Sequence, residues 1–152
     1  MNIFTKFFEK IIPGKRIIFI VEDNEVYSKS LKAFIQSRVD NVKEIKCFGT
    51  GEMCLRELHR KPNVVIVDYF LNSRFETAYN GLELIKRIRA QQMQTNIIVL
   101  SAQEKFSVIL EVIKEYDCTY VQKDEEAFNY VAHMINELFD HKTSEIFEPE
   151  IK

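Results

Sequence analysis

The sequence predicts an α/β fold: a doubly wound parallel sheet with helices on both faces. Three observations carry this expectation. Short apolar runs alternate along the chain with segments of helical periodicity. The first, third and fourth of these runs are almost continuously apolar, as strands covered on both faces must be. A chemically competent side chain then follows the end of four of the five runs: Glu22 and Asp23, Asp68, Ser101, and Lys123. In an open parallel sheet the functional crevice lies at the carboxyl ends of the strands.

Strands are expected at 16–21, 44–48, 63–67, 96–100 and 118–121, and helices at 25–38, 51–60, 81–90, 104–116 and 125–139. The first strand is Ile17-Ile18-Phe19-Ile20-Val21. The second, Glu44-Ile45-Lys46-Cys47-Phe48, alternates and reads as an edge strand. Thr50 can cap the following helix through its hydroxyl, with Met53 and Leu55 onward as apolar contacts. The third strand is Val64-Val65-Ile66-Val67; after a polar loop, Gly81 opens the third helix. The fourth strand is Ile97-Ile98-Val99-Leu100. In the fourth helix Phe106, Ile109, Leu110 and Ile113 share one face. Val108 and Val112 are expected on a second, exposed stripe that serves as a contact surface. In the last helix Phe128, Val131, Ile135, Leu138 and Phe139 recur at helical spacing.

The domain is expected over 16–140. Before it, 1–15 forms an amphipathic extension, with Ile3, Phe4, Phe7, Phe8, Ile11 and Ile12 opposite Asn2, Thr5, Lys6, Glu9 and Lys10. Three uses for it stand open: docking on its own domain, contact with a partner, or an interfacial membrane helix. The polar tail 141–152 is too short for a second domain. At 152 residues, 46% hydrophobic and 29% charged, the chain suits one soluble domain. A net charge of -2 favours neither nucleic acid nor acidic lipid. Cys47, Cys54 and Cys118 form no CxxC pair, which argues against a disulfide framework or structural zinc and for a reducing, cytoplasmic setting. No signal peptide and no membrane span is expected.

Clustered carboxylates repel one another unless a cation joins them. Glu22, Asp23 and Asp68 together make a hard oxygen site suited to Mg2+. A carboxylate can also attack a phosphoryl group and form an acyl phosphate. The developing charge then needs fixed donors and positive groups, which Ser101 and Lys123 supply. The set reads as machinery for phosphoryl transfer to Asp68.

In order and spacing these residues resemble the receiver domain of two-component response regulators. Glu22-Asp23 matches the family's acidic pair, Asp68 its phosphoacceptor, Ser101-Ala102 its hydroxyl residue and small neighbour, and Lys123 its lysine. Tyr120 matches the switch aromatic that works with Ser101. The resemblance covers about 16–139. It implies a flavodoxin-like, five-stranded sheet of order 2-1-3-4-5, and Mg2+ held by Glu22, Asp23, Asp68 and the backbone carbonyl of Phe70. The implied donor is a phosphohistidine on a sensor histidine kinase or a histidine phosphotransfer protein.

Some positions depart from the family pattern. The loop after Asp68 is longer than usual and lacks the usual proline; Asp124 stands where a proline often follows the lysine; Asp117-Cys118 replaces Gly-Ala before the last strand. Phe70 and the long loop are expected to limit water at the site and prolong the phosphorylated state. The expected protein is a stand-alone phosphoacceptor, self-modifying rather than an enzyme, with output through altered protein binding. A homodimer through the fourth helix, fifth strand and fifth helix is one such output. The alternative is a receiver-fold interaction module acting without phosphorylation. A flavodoxin-like redox carrier is disfavoured, because Glu22-Asp23-Asn24-Glu25 would repel a bare phosphate.

Overall fold

The structure, a computed structural model, describes residues 16–71, 80–92, 94–102 and 106–144, without the side chains of 106, 108 and 141–144. The expectations for 1–15, for 72–79 of the long loop, for the Phe106 and Val108 side chains, and for 145–152 of the tail fall outside the described residues. Five parallel strands form one sheet in the order β2-β1-β3-β4-β5. They are β1 (Arg16–Val21), β2 (Val42–Phe48), β3 (Val64–Asp68), β4 (Asn96–Ser101) and β5 (Thr119–Gln122). Between and after them run α1 (Glu25–Arg38), α2 (Gly51–Glu57), α3 (Gly81–Gln91), α4 (Phe106–Tyr116) and α5 (Ala127–Ser144). The last helix continues past residue 140.

The apolar strands divide their side chains between two cores, because successive residues point to opposite faces. Ile18, Ile20, Ile66 and Ile98 pack with Leu31 and Ile35 of α1 and Val131 and Ile135 of α5. Phe19, Val65, Val67 and Val99 pack on the other face with Cys54 of α2, Leu84, Ile85 and Ile88 of α3, and Val112 of α4. Residues 18–21 and 64–67 are wholly inaccessible to solvent. Each such aliphatic side chain contributes roughly 1.5–3 kcal/mol. This double coverage is why β1, β3 and β4 show no polar alternation. The partly exposed β2 lies at the sheet edge, as its alternation predicts.

A buried and a half-buried arginine tie the ends of these elements together. Arg16 donates from Nη2 to the Phe139 carbonyl at 3.0 Å and lies 4.2 Å from that residue's ring centroid. Arg89 donates to the carbonyls of Tyr116 (2.8 Å), Thr95 (2.9 Å) and Asp117 (3.1 Å). It thereby satisfies acceptors at the end of α4, where a cation also complements the helix dipole.

Two local expectations are corrected. The helix expected through residue 60 gives way at Glu57 to a 3-10 turn, Leu58–Arg60, and its Met53 is exposed while Cys54 and Leu58 are buried. In α4, Val112 is buried with Ile109 rather than exposed, and Leu110 and Ile113 are half-buried. Residues 109 and 112 lie only about 60° apart around a helix, so the face turned to the sheet takes both. Val112→Glu should therefore place an unpaired charge in the core and lower stability by about 3 kcal/mol or more. Leu110→Glu should cost much less. Urea unfolding midpoints check this, and equal midpoints for the two variants would show that Val112 is not a core residue.

Candidate functional site

Backbone pairing continues beyond the strands and sets the site. The Glu22 amide donates to Phe48 at 3.0 Å, the Tyr69 amide to Leu100 at 2.8 Å, and the Lys123 amide to Ser101 at 2.8 Å. The residues at the ends of β1, β3 and β5 are thus held in register, and their side chains converge. One carboxylate oxygen from each of Glu22, Asp23 and Asp68 lies within 4.8 Å of the others. Glu22 and Asp68 are 2% and 5% exposed, whereas Asp23 faces solvent. Lys123 donates from Nζ to Glu22 Oε2 at 2.6 Å and to Asp68 Oδ2 at 3.2 Å. The remaining oxygens accept from the backbone: Glu22 Oε1 from Asn24 and Asp68 Oδ1 from Phe70, both at 3.0 Å. With Ala102 these residues line a polar cleft of about 430 Å³.

Burial pushes the Glu22 carboxyl up to about 7; hydrogen bonds from Lys123 and Asn24 resist the rise, and the charge of Asp68 adds to it. Burial works to lower Lys123, but the hydrogen bond to Glu22 and the charges of Asp68 and Glu22 outweigh it, so its pKa is raised. Lys123 is therefore a fixed ammonium. The exposed Asp23 leaves the cluster open to water on one side. Three hard oxygen donors with room for retained waters fit magnesium in number and chemistry.

Gly81 locks β3 to the next helix. A β-carbon there would meet the Asp68 carbonyl oxygen at 2.5 Å and Tyr69 backbone atoms at 2.6 Å. The requirement is close approach of backbone, not an unusual φ, since no glycine among the described residues has positive φ. Asn80 caps α3 by accepting from the Glu83 amide at 2.9 Å. Ser101 is fully buried at the end of β4. Tyr120 is half-buried, and its hydroxyl donates to the Ser101 carbonyl at 3.4 Å.

Residues 18–135 match the response regulator receiver domain family. The chain belongs to this family. Phosphorylation and magnesium at an acidic pocket are typical of receiver domains in two-component systems. Over 106 residues the chain is 30% identical to the virulence transcriptional regulatory protein PhoP of Shigella flexneri. That alignment covers 70% of this chain and 44% of PhoP, so the receiver chain spans less than half the length of this relative. Among solved structures, the receiver domain of the Francisella response regulator 1452 aligns with a TM-score of 0.70 at 17% identity, covering 84% of this chain and 99% of that one. The isolated REC domain of RcsB from Salmonella enterica serovar Typhimurium, solved with the phosphomimetic BeF3-, gives 0.67 at 17% identity, covering 82% and 90%. These likenesses show the shared receiver fold.

The acidic pair, Asp68, Lys123 and Phe70 line one cleft. Asn24 was not singled out in the sequence. It caps α1 by accepting from the Tyr27 amide at 3.0 Å while its own amide holds Glu22. An asparagine just before a helical segment is a readable cap signal. His59 and His133 are exposed and do not line the cleft.

Adding a methyl at Gly81 should separate α3 from the Asp68–Tyr69 backbone. Gly81→Ala is expected to lose about 1–3 kcal/mol; an unchanged thermal midpoint would contradict this close packing. The pH dependence follows from Glu22. Its folded pKa, about 7, stands above the ordinary 4.5, so the folded state holds this proton more tightly. That contribution is complete below 4.5 and is lost as pH rises through about 7. Chelator-treated protein should lose stability across that window, and Glu22→Gln should flatten the slope. Denaturant titrations at stepped pH test it; identical slopes would rule out Glu22 as the source.

Proposed function

We propose that the chain accepts a phosphoryl group on Asp68 from a phosphohistidine of a sensor histidine kinase or histidine phosphotransfer protein, and signals by altered protein–protein binding. The observation that carries this reading is the state of Asp68. It is a nearly buried carboxylate, oriented through one oxygen by the Phe70 amide and through the other by the Lys123 ammonium, at the floor of an acidic cleft.

In the transfer, an Asp68 oxygen forms a bond to phosphorus as the bond from phosphorus to the histidine nitrogen breaks. The electron pair leaves with the imidazole, which takes up a proton, and an acyl phosphate remains on Asp68. Lys123 meets the negative phosphoryl oxygens, and Ser101 supplies a hydroxyl donor. Glu22, Asp23, Asp68 and the Phe70 carbonyl would hold magnesium, which when bound offsets the charge gathered between these acids and the phosphoryl oxygens. Water later attacks phosphorus, releasing phosphate and restoring the carboxylate. The chemistry is thus self-modification rather than turnover of an outside substrate.

Ser101 and Tyr120 form the proposed switch, since the tyrosine hydroxyl already meets the Ser101 carbonyl. The proposed domain spans 16–140. A homodimer through α4, β5 and α5 would draw on half-buried Leu110 and Ile113, because Val112 belongs to the core. Free Cys47, Cys54 and Cys118 are in keeping with a cytoplasmic setting. Among the described residues no helix is long and apolar enough to cross a membrane.

Acetyl phosphate or phosphoramidate with magnesium should add one phosphoryl mass to the intact protein. Asp68→Asn, which removes the attacking oxygen at nearly constant shape, should abolish it. Equal phosphorylation of the variant would move the acceptor elsewhere. A wild type that takes no phosphoryl group would favour a receiver-fold interaction module acting without phosphorylation.

A further inference from the structure

Lys123 has a third contact that the transfer chemistry above does not use. Its Nζ lies over the Tyr27 ring, 4.3 Å from the centroid. The face of an aromatic ring carries negative electrostatic potential and attracts an ammonium within about 6 Å. Tyr27 sits in the first turn of α1, where Asn24 fixes its amide. Its ring packs edge-on against Phe128 of α5, with centroids 5.2 Å apart and planes at 76°. Phe128 in turn meets the Phe34 ring at 5.6 Å. The Tyr27 ring is therefore braced from two helices.

Two further observations bear on its role. The Tyr27 hydroxyl is buried without a hydrogen-bond partner, so this polar end adds no bond to the packing. The two carboxylates that hold Lys123 both belong to the acidic cluster, and the charge around the ammonium changes when metal binds or when Asp68 becomes an acyl phosphate. The ring's charge distribution does not change in either event. Lysine is a flexible stem with a mobile charge, so it needs a contact that persists while its anionic partners change.

We infer that Tyr27 is a positioning residue for Lys123, holding the ammonium at the cleft through phosphoryl transfer by a cation–π contact. The inference rests on the phosphoacceptor function proposed above. Its test compares wild type, Tyr27→Phe and Tyr27→Leu for phosphorylation by phosphoramidate at saturating magnesium, read by intact mass. Tyr27→Phe keeps the ring and should match wild type. Tyr27→Leu keeps apolar bulk but loses the ring face, and should slow phosphorylation by roughly fivefold to thirtyfold, the range a partly desolvated cation–π contact supports. A second readout is the NMR shift of the Lys123 side-chain methylene protons. An upfield ring-current displacement should be present in wild type and Tyr27→Phe and absent in Tyr27→Leu.

Should Tyr27→Leu fold poorly, phenylalanines of increasing fluorination at position 27 keep the shape while weakening the ring's negative face. The rate should then fall stepwise with fluorine number. Equal rates across that series, or a folded Tyr27→Leu as fast as wild type, overturn the inference and leave the phosphoacceptor function standing. A wild type that is not phosphorylated overturns both.

Discussion

Three carboxylates crowded at one edge of the sheet, two of them nearly out of reach of water, set the central constraint on this protein. Charges about 4 Å apart near a protein surface interact by roughly 4 kcal/mol. The cluster therefore demands a cation, and Lys123 meets the two buried acids from the end of β5, across β4. The site's geometry serves that requirement. Backbone bonds past the ends of β1, β3 and β5 fix where the charged residues start. Amides of Asn24 and Phe70 take up the carboxylate oxygens that Lys123 does not reach.

The cation in turn needs a place to stand. Lys123 is bounded by acids and by the Tyr27 ring, and that ring leans on Phe128 across the helical layer. Packing between α1 and α5 thus reaches the charge that would meet a phosphoryl group. On the other face, Gly81 lets α3 press directly on the backbone of Asp68 and Tyr69. The Asp68 carboxylate is held between these two helical layers, so its setting depends on both cores at once.

The opposite edge of the sheet is built differently. Arg16, Arg89 and Thr95 spend their polar atoms on backbone carbonyls, including those of Phe139, Tyr116, Asp117 and Pro62. These bonds close helix ends and loops by satisfying acceptors that would otherwise be buried unpaired. At the carboxyl edge the acids gather in a cleft instead, with one of them exposed. One edge of the same sheet is neutralised and tied down, and the other concentrates charge.

Much of this was legible in the amino-acid order. Strands buried on both faces must be apolar throughout, so β1, β3 and β4 declare themselves, and the residue after each apolar run falls at the carboxyl edge of the sheet. Glu22, Asp23, Asp68, Ser101 and Lys123 could therefore be picked out together. The limits lie where side-chain placement is decided at long range or at a borderline angle. Val112 stands only about 60° from Ile109 on the helix, and only packing against the sheet and α3 decides that it turns inward. The Lys123–Glu22 bond and the Tyr27–Lys123 contact join residues from opposite ends of the domain. No local pattern encodes them, because they depend on the sheet order that brings β1 and β5 to either side of β3 and β4. By itself the sequence determined the strands, their chemical ends and the family. The tertiary structure decided which helix face is core, what clamps the lysine, and why the residue against the Asp68 backbone has to be a glycine.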